Sequence, residues 1–379
     1  MRMHRLYFDH NATSPLRPEV REAVIEFVHS TCGNPSAIHG SGRPIRAKID
    51  DARENIAKLI GANPLEIIFT SSGVEANHLA WHAFQMQGKK IATTTTEHKC
   101  IVGATEKAQI CGASIYHIPV ESDGSITDQS IQNLVAYKPD FVSIHQANNE
   151  TGCLYPIDSY VKHLSENPCY FHSDSVQTIG KAPVNVKEMG VNYLSLSGHK
   201  LGALQGIGAL YVKKGSPLKP LWPGGSQEKG VRSGTENVIG IVSMGEAAKV
   251  ILHEGDQEKK RIEKLRDEFE AGVLRSIPKT SVTAQNHHRI PNTSHIIFDN
   301  LNAEALLIAA DLDHLDISAG SACSSGSLEP SKVVLAMSIE KERALGAVRF
   351  SFGWNTTQED ISKALKILPK LVEQVRKAK

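Results

Sequence analysis

A chain of 379 residues is long enough for two or three domains, or for one large and one small. Its residues are 40% apolar and 22% charged, the balance of a globular chain that can bury real cores. With 42 basic against 41 acidic residues, the formal net charge of +1 shows neither the basic excess of a nucleic-acid binder nor the acidic excess of a solvating tail.

The stretch from Met1 to Asp9 carries positive charge without an apolar core behind it, unlike a secretory leader. No window approaches the ~20 consecutive apolar residues that span a bilayer. These features predict a cytoplasmic protein with neither membrane nor direct nucleic-acid partners. In chain order, Ile45, Ile49, Ala52, Ile56 and Leu59 recur at helical spacing and stop at Gly61. Ile67 to Thr70 reads as a short buried strand, followed by a helix led by Gly73 through Leu79 and Phe84. Strands are predicted at Lys90 to Thr95, Ser114 to Ile118 and Phe141 to His145, with helices around Ile101 to Ile110 and Ile126 to Val135. Further strands fit Tyr170 to Ser173, Tyr193 to Leu196 and Gly208 to Val212.

Such alternation predicts an α/β fold with a mainly parallel sheet covered on both faces, and functional residues just past the carboxyl ends of its strands. A long charged helix from about Asn237 past Lys264 then leads into a smaller α+β region. That region has strands at His295 to Phe298 and Ala347 to Phe350, and helices at Ala303 to Leu312 and Thr357 to Lys379.

Six cysteines occur, at 32, 100, 111, 153, 169 and 323, and none forms a CxxC pair, so structural zinc and thioredoxin-like chemistry have little support. The expectation for Cys32, Cys100, Cys111, Cys153 and Cys169 is a small, inert, buried hydrophobe. Three other pieces carry chemistry. Lys200 follows a strand in Ser195 to Lys200, ahead of a glycine-rich turn. A partly desolvated lysine there would be nucleophilic and could form a Schiff base, although a lone loop lysine is usually just solvated. Asp174, in Ser173 to Gln177, could pair with the protonated pyridine nitrogen of pyridoxal phosphate, with Gln177 near the ring oxygen; the plainer reading of Asp174 is a helix cap. Thr70 to Glu75 joins a strand, small residues and a helix start, whose free backbone N–H groups suit a phosphate. Asn148 to Gly152 and His98 also follow strands.

Together with Phe8 to Thr13, Gly33 to Ser36 with His39, Thr96 to His98, Arg232 to Thr235, Ser318 to Ser325, Leu328 to Ser331 and Val348 to Ser351, these motifs resemble those of the cysteine desulfurases. That family lies in the class V aminotransferase group of fold-type I pyridoxal-phosphate enzymes. The resemblance implies a large cofactor-binding domain over 14–257, and a small α+β domain made of 1–13 and 258–379. It implies that Lys200 holds pyridoxal 5'-phosphate and Asp174 anchors its pyridine nitrogen. His98 would stack on the ring and move protons, and Gln177 and Asn149 would approach the ring oxygen. Gly73, Val74, Ser197 and His199 would cradle the phosphate, and Thr235 would reach the phosphate of a second subunit, so a homodimer is implied. Arg349 would clamp the carboxylate of an L-cysteine substrate, with Asn34 and Asn149 beside it.

Cys323, within the small-residue run Ser318 to Ser327, would take the sulfur as a persulfide, leaving alanine. The long run resembles the branch that serves iron–sulfur cluster or nitrogenase assembly, so the implied partner is a sulfur acceptor such as an iron–sulfur scaffold or a tRNA-thiolation protein. Selenocysteine lyase activity, another class V aminotransferase or lyase, and a non-catalytic sulfur-transfer scaffold are the alternatives. Departures from the family pattern are Val74 in place of threonine, Ser72 in place of glycine or a similar small residue, and His10 in place of asparagine.

Overall fold

The structure, a computed structural model, describes residues 5–30, 32–320 and 330–378. Its strands are β1 (Leu6–Tyr7), β2 (Ile67–Thr70), β3 (Lys90–Thr94), β4 (Ser114–Ile118), β5 (Phe141–Ser143), β6 (Tyr170–Asp174), β7 (Tyr193–Ser197), β8 (Gly208–Val212), β9 (Thr280–Val282), β10 (Thr293–Phe298), β11 (Leu315–Asp316) and β12 (Ala347–Ser351). The main sheet has the order β2-β8-β7-β6-β5-β3-β4. All its pairings are parallel except those of β8, which runs antiparallel to β2 and β7. The reason is local: β7 reaches β8 through a short turn at Gly198–Lys200, whereas parallel neighbours need a crossover. The predicted parallel sheet is therefore present, with one reversed strand.

Helix Arg43–Ile60 buries Ile45, Ile49, Ala52, Ile56 and Ile60, one face of a 3.6-residue repeat, and ends at Gly61 with φ 70°, a left-handed cap that favours glycine. Leu59, expected on that stripe, is only partly buried, and Ile60 occupies the place. The 39-residue helix Val238–Ser276 joins two cores. Its first half sends Ile241 and Met244 in among Val142, Leu194, Leu196 and Ala209 of the main sheet. Its second half packs Ile262, Leu265, Phe269 and Val273 against Leu6, Phe8, Phe350, Phe352 and Leu368. Phe8 lies edge-on to Phe269 and Phe352, at 5.9 and 4.9 Å between ring centroids. The N-terminal strand is thereby built into the second core, beside the sheet β12-β10-β9.

Two groups of expectations need correction. Helices Pro18–Ser30, Ile157–His163, Val186–Met189, Lys332–Ala336 and Lys341–Ala344 were not legible as periodic patterns. Most are too short for a repeat, and the first leaves Ile25 and Val28 exposed. Of the five cysteines expected to be buried, only Cys153 is; Cys100 and Cys169 are half-buried, and Cys32 and Cys111 are exposed. Cys111 caps the end of helix Lys99–Ile110, a position that faces solvent. Among the described residues no helix is long and apolar enough to cross a membrane.

Four histidines are built into this frame in neutral form. Burial lowers the pKa of His10 and His295 to about 3 and that of His172 and His199 to about 4. His172 is held between Ser143 Oγ at 2.8 Å and Ser195 Oγ at 3.0 Å, and His295 Nδ1 lies 2.9 Å from Thr283 Oγ1. Above pH 6.5 both folded and unfolded forms of such a group are neutral, and its contribution to stability is complete. As the pH falls below 6.5 the unfolded chain binds protons that the folded chain refuses, at about 1.4 kcal/mol per pH unit for each group. Denaturant midpoints are therefore expected to fall steeply from pH 6.5 to pH 5, and less steeply for His10→Asn. A flat profile over that interval would show that these rings are protonated in place.

Candidate active site

The carboxyl ends of β2, β3, β5, β6 and β7 bring most of the candidate residues into one cleft. Asp174 closes β6 and is only 8% exposed. Its Oδ2 accepts from Asn77 Nδ2 at 2.7 Å, and its Oδ1 accepts from the Val176 N–H at 3.0 Å. The plainer reading of Asp174 as a helix cap is not met, because a turn and not a helix follows β6; its Oδ1 closes that turn, and its oxygens keep lone pairs to spare.

Lys200 lies in the turn after β7, with Nζ donating to the carbonyls of Asn11 at 2.5 Å and Ala12 at 2.6 Å. Burial lowers its pKa to about 8, and Arg349 pushes the same way, against the opposing pull of Asp9 and Asp174. An amine so placed is neutral in a useful fraction of molecules near pH 8, as a nucleophile must be.

His98 caps the helix Lys99–Ile110. Its Nδ1 accepts from the Cys100 N–H at 3.2 Å, and Cys100 Sγ lies 3.0 Å from the same nitrogen. A backbone donor on Nδ1 leaves the neutral ring's proton on Nε2. Burial draws the ring's pKa down, partly countered by Asp174.

Arg349, on β12, is 5% exposed. Its Nη2 donates to Asp9 Oδ1 at 2.7 Å and its Nη1 to the Asn149 carbonyl at 2.9 Å, while its buried Nε has no partner among the described residues. Asn149 thus serves Arg349 through its backbone. Burial raises the pKa of Asp9, with Arg349 opposing.

The turn after β2 is tightly built. A Cβ on Gly73 would lie 2.8 Å from Val176 Cγ2 and 3.2 Å from Ser197 Cβ, so only glycine lets the turn close on β7. Ser72 Oγ accepts from the Glu75 N–H at 3.2 Å, and Glu75 Oε2 takes the Ser71 N–H at 2.6 Å. Glu75 Oε1 in turn accepts from Arg232 Nε at 3.0 Å. At a helix start the N–H groups of Gly73 and Val74 have no intrahelical acceptor and remain for a ligand. His199 Nδ1 lies 3.1 Å from Thr13 Oγ1. With its pKa near 4, His199 acts at neutral pH as an uncharged hydrogen-bonding group.

Some candidates stand apart. Thr235 is exposed, as is Asn34, whose Oδ1 accepts from the Ser36 N–H of its own loop at 2.8 Å. Neither has a hydrogen bond into the cleft among those of the described residues. Cys323 lies outside the described residues. The described ends of its run do meet the site. Ser318 bridges Arg349 through its backbone, and Ser331 Oγ donates to Glu150 Oε2 at 2.5 Å. A Cβ on Gly320 would come within 2.4 Å of the same Glu150 oxygen.

Sequence reading missed Asn11, Asn77, Glu150 and Lys181. Asn11 is the hub: its carbonyl accepts from Lys200 and Gln177, and its Nδ2 donates to Thr293 Oγ1 at 2.8 Å and to the Asn149 carbonyl at 3.2 Å. The Phe8 to Thr13 motif was the available signal. Arg349 is the strongest cation of the cleft, since burial and neighbouring cations lower the pKa of both Lys181 and Lys200. A nucleophilic amine, a buried carboxylate and an anion-binding turn in one cleft fit pyridoxal phosphate.

The family model described as Aminotransferase class-V matches residues 6–364. A cysteine desulfurase, IscS, of Dictyoglomus turgidum is 41% identical over 375 residues, covering 98% of this chain and 95% of that protein. A solved NifS-like protein superimposes with a TM-score of 0.91 at 31% identity, covering 98% of this chain and 100% of that one. A solved structure described as SspA in complex with cysteine matches with a TM-score of 0.79 at 29% identity, covering 92% and 99%.

Proposed function

This chain belongs to the aminotransferase class-V family and, within it, to the cysteine desulfurases, and we propose that it moves the sulfur of L-cysteine onto Cys323 and releases L-alanine with the help of pyridoxal 5'-phosphate. Its fold is that of the fold-type I enzymes. The observation that carries this reading is Lys200, an amine whose pKa burial lowers to about 8, in one cleft with Asp174 and Arg349.

Lys200 and Asp174 would hold the cofactor, with Gly73, Val74, Ser197 and His199 around its phosphate, His98 on its ring and Gln177 at its ring oxygen. Bound there, it supplies an electron sink that makes the substrate's Cα–H acidic. The chain's own groups do the rest. Arg349, whose Nε proton lacks an acceptor, binds the substrate carboxylate. The Lys200 amine takes and returns the proton at Cα, and His98 offers the proton on its Nε2. The Cys323 thiolate attacks the substrate sulfur. The Cβ–S bond breaks, an S–S bond forms, and Cβ gains a proton, so that cysteine and enzyme thiol become alanine and enzyme persulfide with no outside oxidant.

We place the large domain at 14–257 and the small one at 1–13 with 258–379. Exposed Thr235 is assigned to the phosphate site of a second copy in a homodimer, Asn34 to the substrate's surroundings, and the persulfide to an acceptor such as an iron–sulfur scaffold or a tRNA-thiolation protein.

Val74 gives the phosphate turn a consequence of its own. It is 46% exposed and brings no hydroxyl to a turn that expects one. A charge-assisted hydrogen bond is worth about 1.5–3 kcal/mol, so Val74→Thr should tighten cofactor binding about tenfold or more in a fluorescence titration. Unchanged affinity would show that Ser71 or Ser72 already supplies the contact.

The function itself is tested by incubating cofactor-loaded protein with L-cysteine and a thiol reductant. Alanine and sulfide should appear in equal amounts. Release of neither by loaded protein would end the desulfurase reading.

A further inference from the structure

A glutamine amide can face a ligand with either end, and the two ends have opposite polarity. In this cleft the choice is made by a lysine that the chemistry above leaves unused. Lys181 Nζ lies 2.9 Å from Gln177 Oε1 and 3.2 Å from Asn11 Oδ1. Gln177 Nε2 donates to the Asn11 carbonyl at 3.0 Å. Asn11 cannot turn to suit another arrangement, because its Oδ1 also accepts from Asn292 Nδ2 at 3.0 Å and its Nδ2 is engaged by Thr293 Oγ1 at 2.8 Å.

Flipping Gln177 would set its NH2 against the Lys181 amine and its oxygen against the Asn11 carbonyl. The first loses the donation from Lys181, and the second leaves an acceptor facing an acceptor, at about 1–3 kcal/mol. Among the described residues Lys181 has no carboxylate in ion-pair reach, and burial, Lys200 and Arg349 all push its pKa well below the usual lysine range.

We propose that Lys181 is a positioning residue that fixes the Gln177 amide so that a free N–H of Nε2 faces the cofactor's ring oxygen. This rests on the reading of the cleft as a pyridoxal-phosphate site. A donor fixed on that oxygen favours its negative charge. It therefore makes the nitrogen that joins Lys200 to the cofactor easier to deprotonate.

The test is the pH midpoint of the visible absorption of cofactor-loaded protein. Lys181→Met, which keeps the stem and removes the donor, should raise the midpoint by about one pH unit, a tenfold change; Lys181→Ala serves as a second variant with the same expectation. The other groups around Lys200, namely Arg349, Asp9, Asp174, His98 and His199, are unchanged across the series, so the shift isolates Lys181. A lysine that merely fills space would shift the midpoint independently of Gln177, or not at all. In Gln177→Ala, adding Lys181→Met should therefore move the midpoint no further. A wild-type midpoint in both Lys181 variants, or an additive shift in the double variant, overturns the proposal. Wild-type protein that shows no visible band overturns the cofactor reading instead.

Discussion

Replacing Lys200 by alanine is expected to lower alanine release from L-cysteine by roughly 10²–10⁴-fold, the range typical of losing a positioned acid–base group. The visible absorption that depends on a covalent link to the protein should disappear as well. Among the described residues no neighbour of Lys200 can substitute for it. Lys181 is the other amine in the cleft, but its Nζ is committed to Asn11 and Gln177, and it lies on the turn after β6 rather than after β7. His98 is fixed through its Nδ1 and offers a proton from Nε2 rather than a free amine. A small primary amine added to the assay should restore part of the activity, because the cleft keeps Asp174 and Arg349 in place. Wild-type turnover in Lys200→Ala would remove the central assignment. Loss of activity without loss of the covalent absorption would move the attachment to another lysine.

For Lys200 the local signal, a strand, a small-residue turn and a basic residue, gave its place in the fold, while its role rested on the resemblance of the motifs taken together. The strand-end positions of Asp174 and the Gly73 turn were legible in the same way, and so was the sheet, since Ile67–Thr70 and Gly208–Val212 are short, largely apolar runs. Direction was less legible. The antiparallel run of β8 follows from the length of its connection, which composition does not show.

Asn11 escaped because its importance is tertiary. It sits between the N-terminal strand and Gln177, Lys200, Asn149 and Thr293, which are far apart in sequence. Lys181, four residues beyond Gln177, had a one-turn spacing that could have been noticed, yet an isolated lysine in a polar segment is usually solvent-facing. The exposed cysteines were misjudged for the opposite reason. Cysteine's average burial is a weak guide to any one position, and Cys111 falls where a helix ends at the surface.

Cys323→Ser should abolish alanine and sulfide release while leaving cofactor absorption intact. Serine matches cysteine in size, but its hydroxyl stays protonated at neutral pH and does not accept sulfur, so only the transfer step is lost. The described ends of the run that carries Cys323 both meet the site. Ser318 is bridged to Arg349, with Arg349 N–H to Ser318 carbonyl at 2.6 Å, and Gly320 abuts Glu150. The other end of the run is fixed on the same side, where Ser331 Oγ donates to Glu150, a carboxyl whose pKa burial raises and Ser331 and Arg349 pull back. No described cysteine can stand in. Cys100 comes closest, beside His98, but burial and Asp174 raise its pKa to about 12, which keeps it a thiol. If Cys323→Ser still made alanine from cysteine at the wild-type rate, the sulfur would be leaving by a route that bypasses this residue. If the variant lost its absorption too, the run that carries Cys323 would be part of the cofactor site.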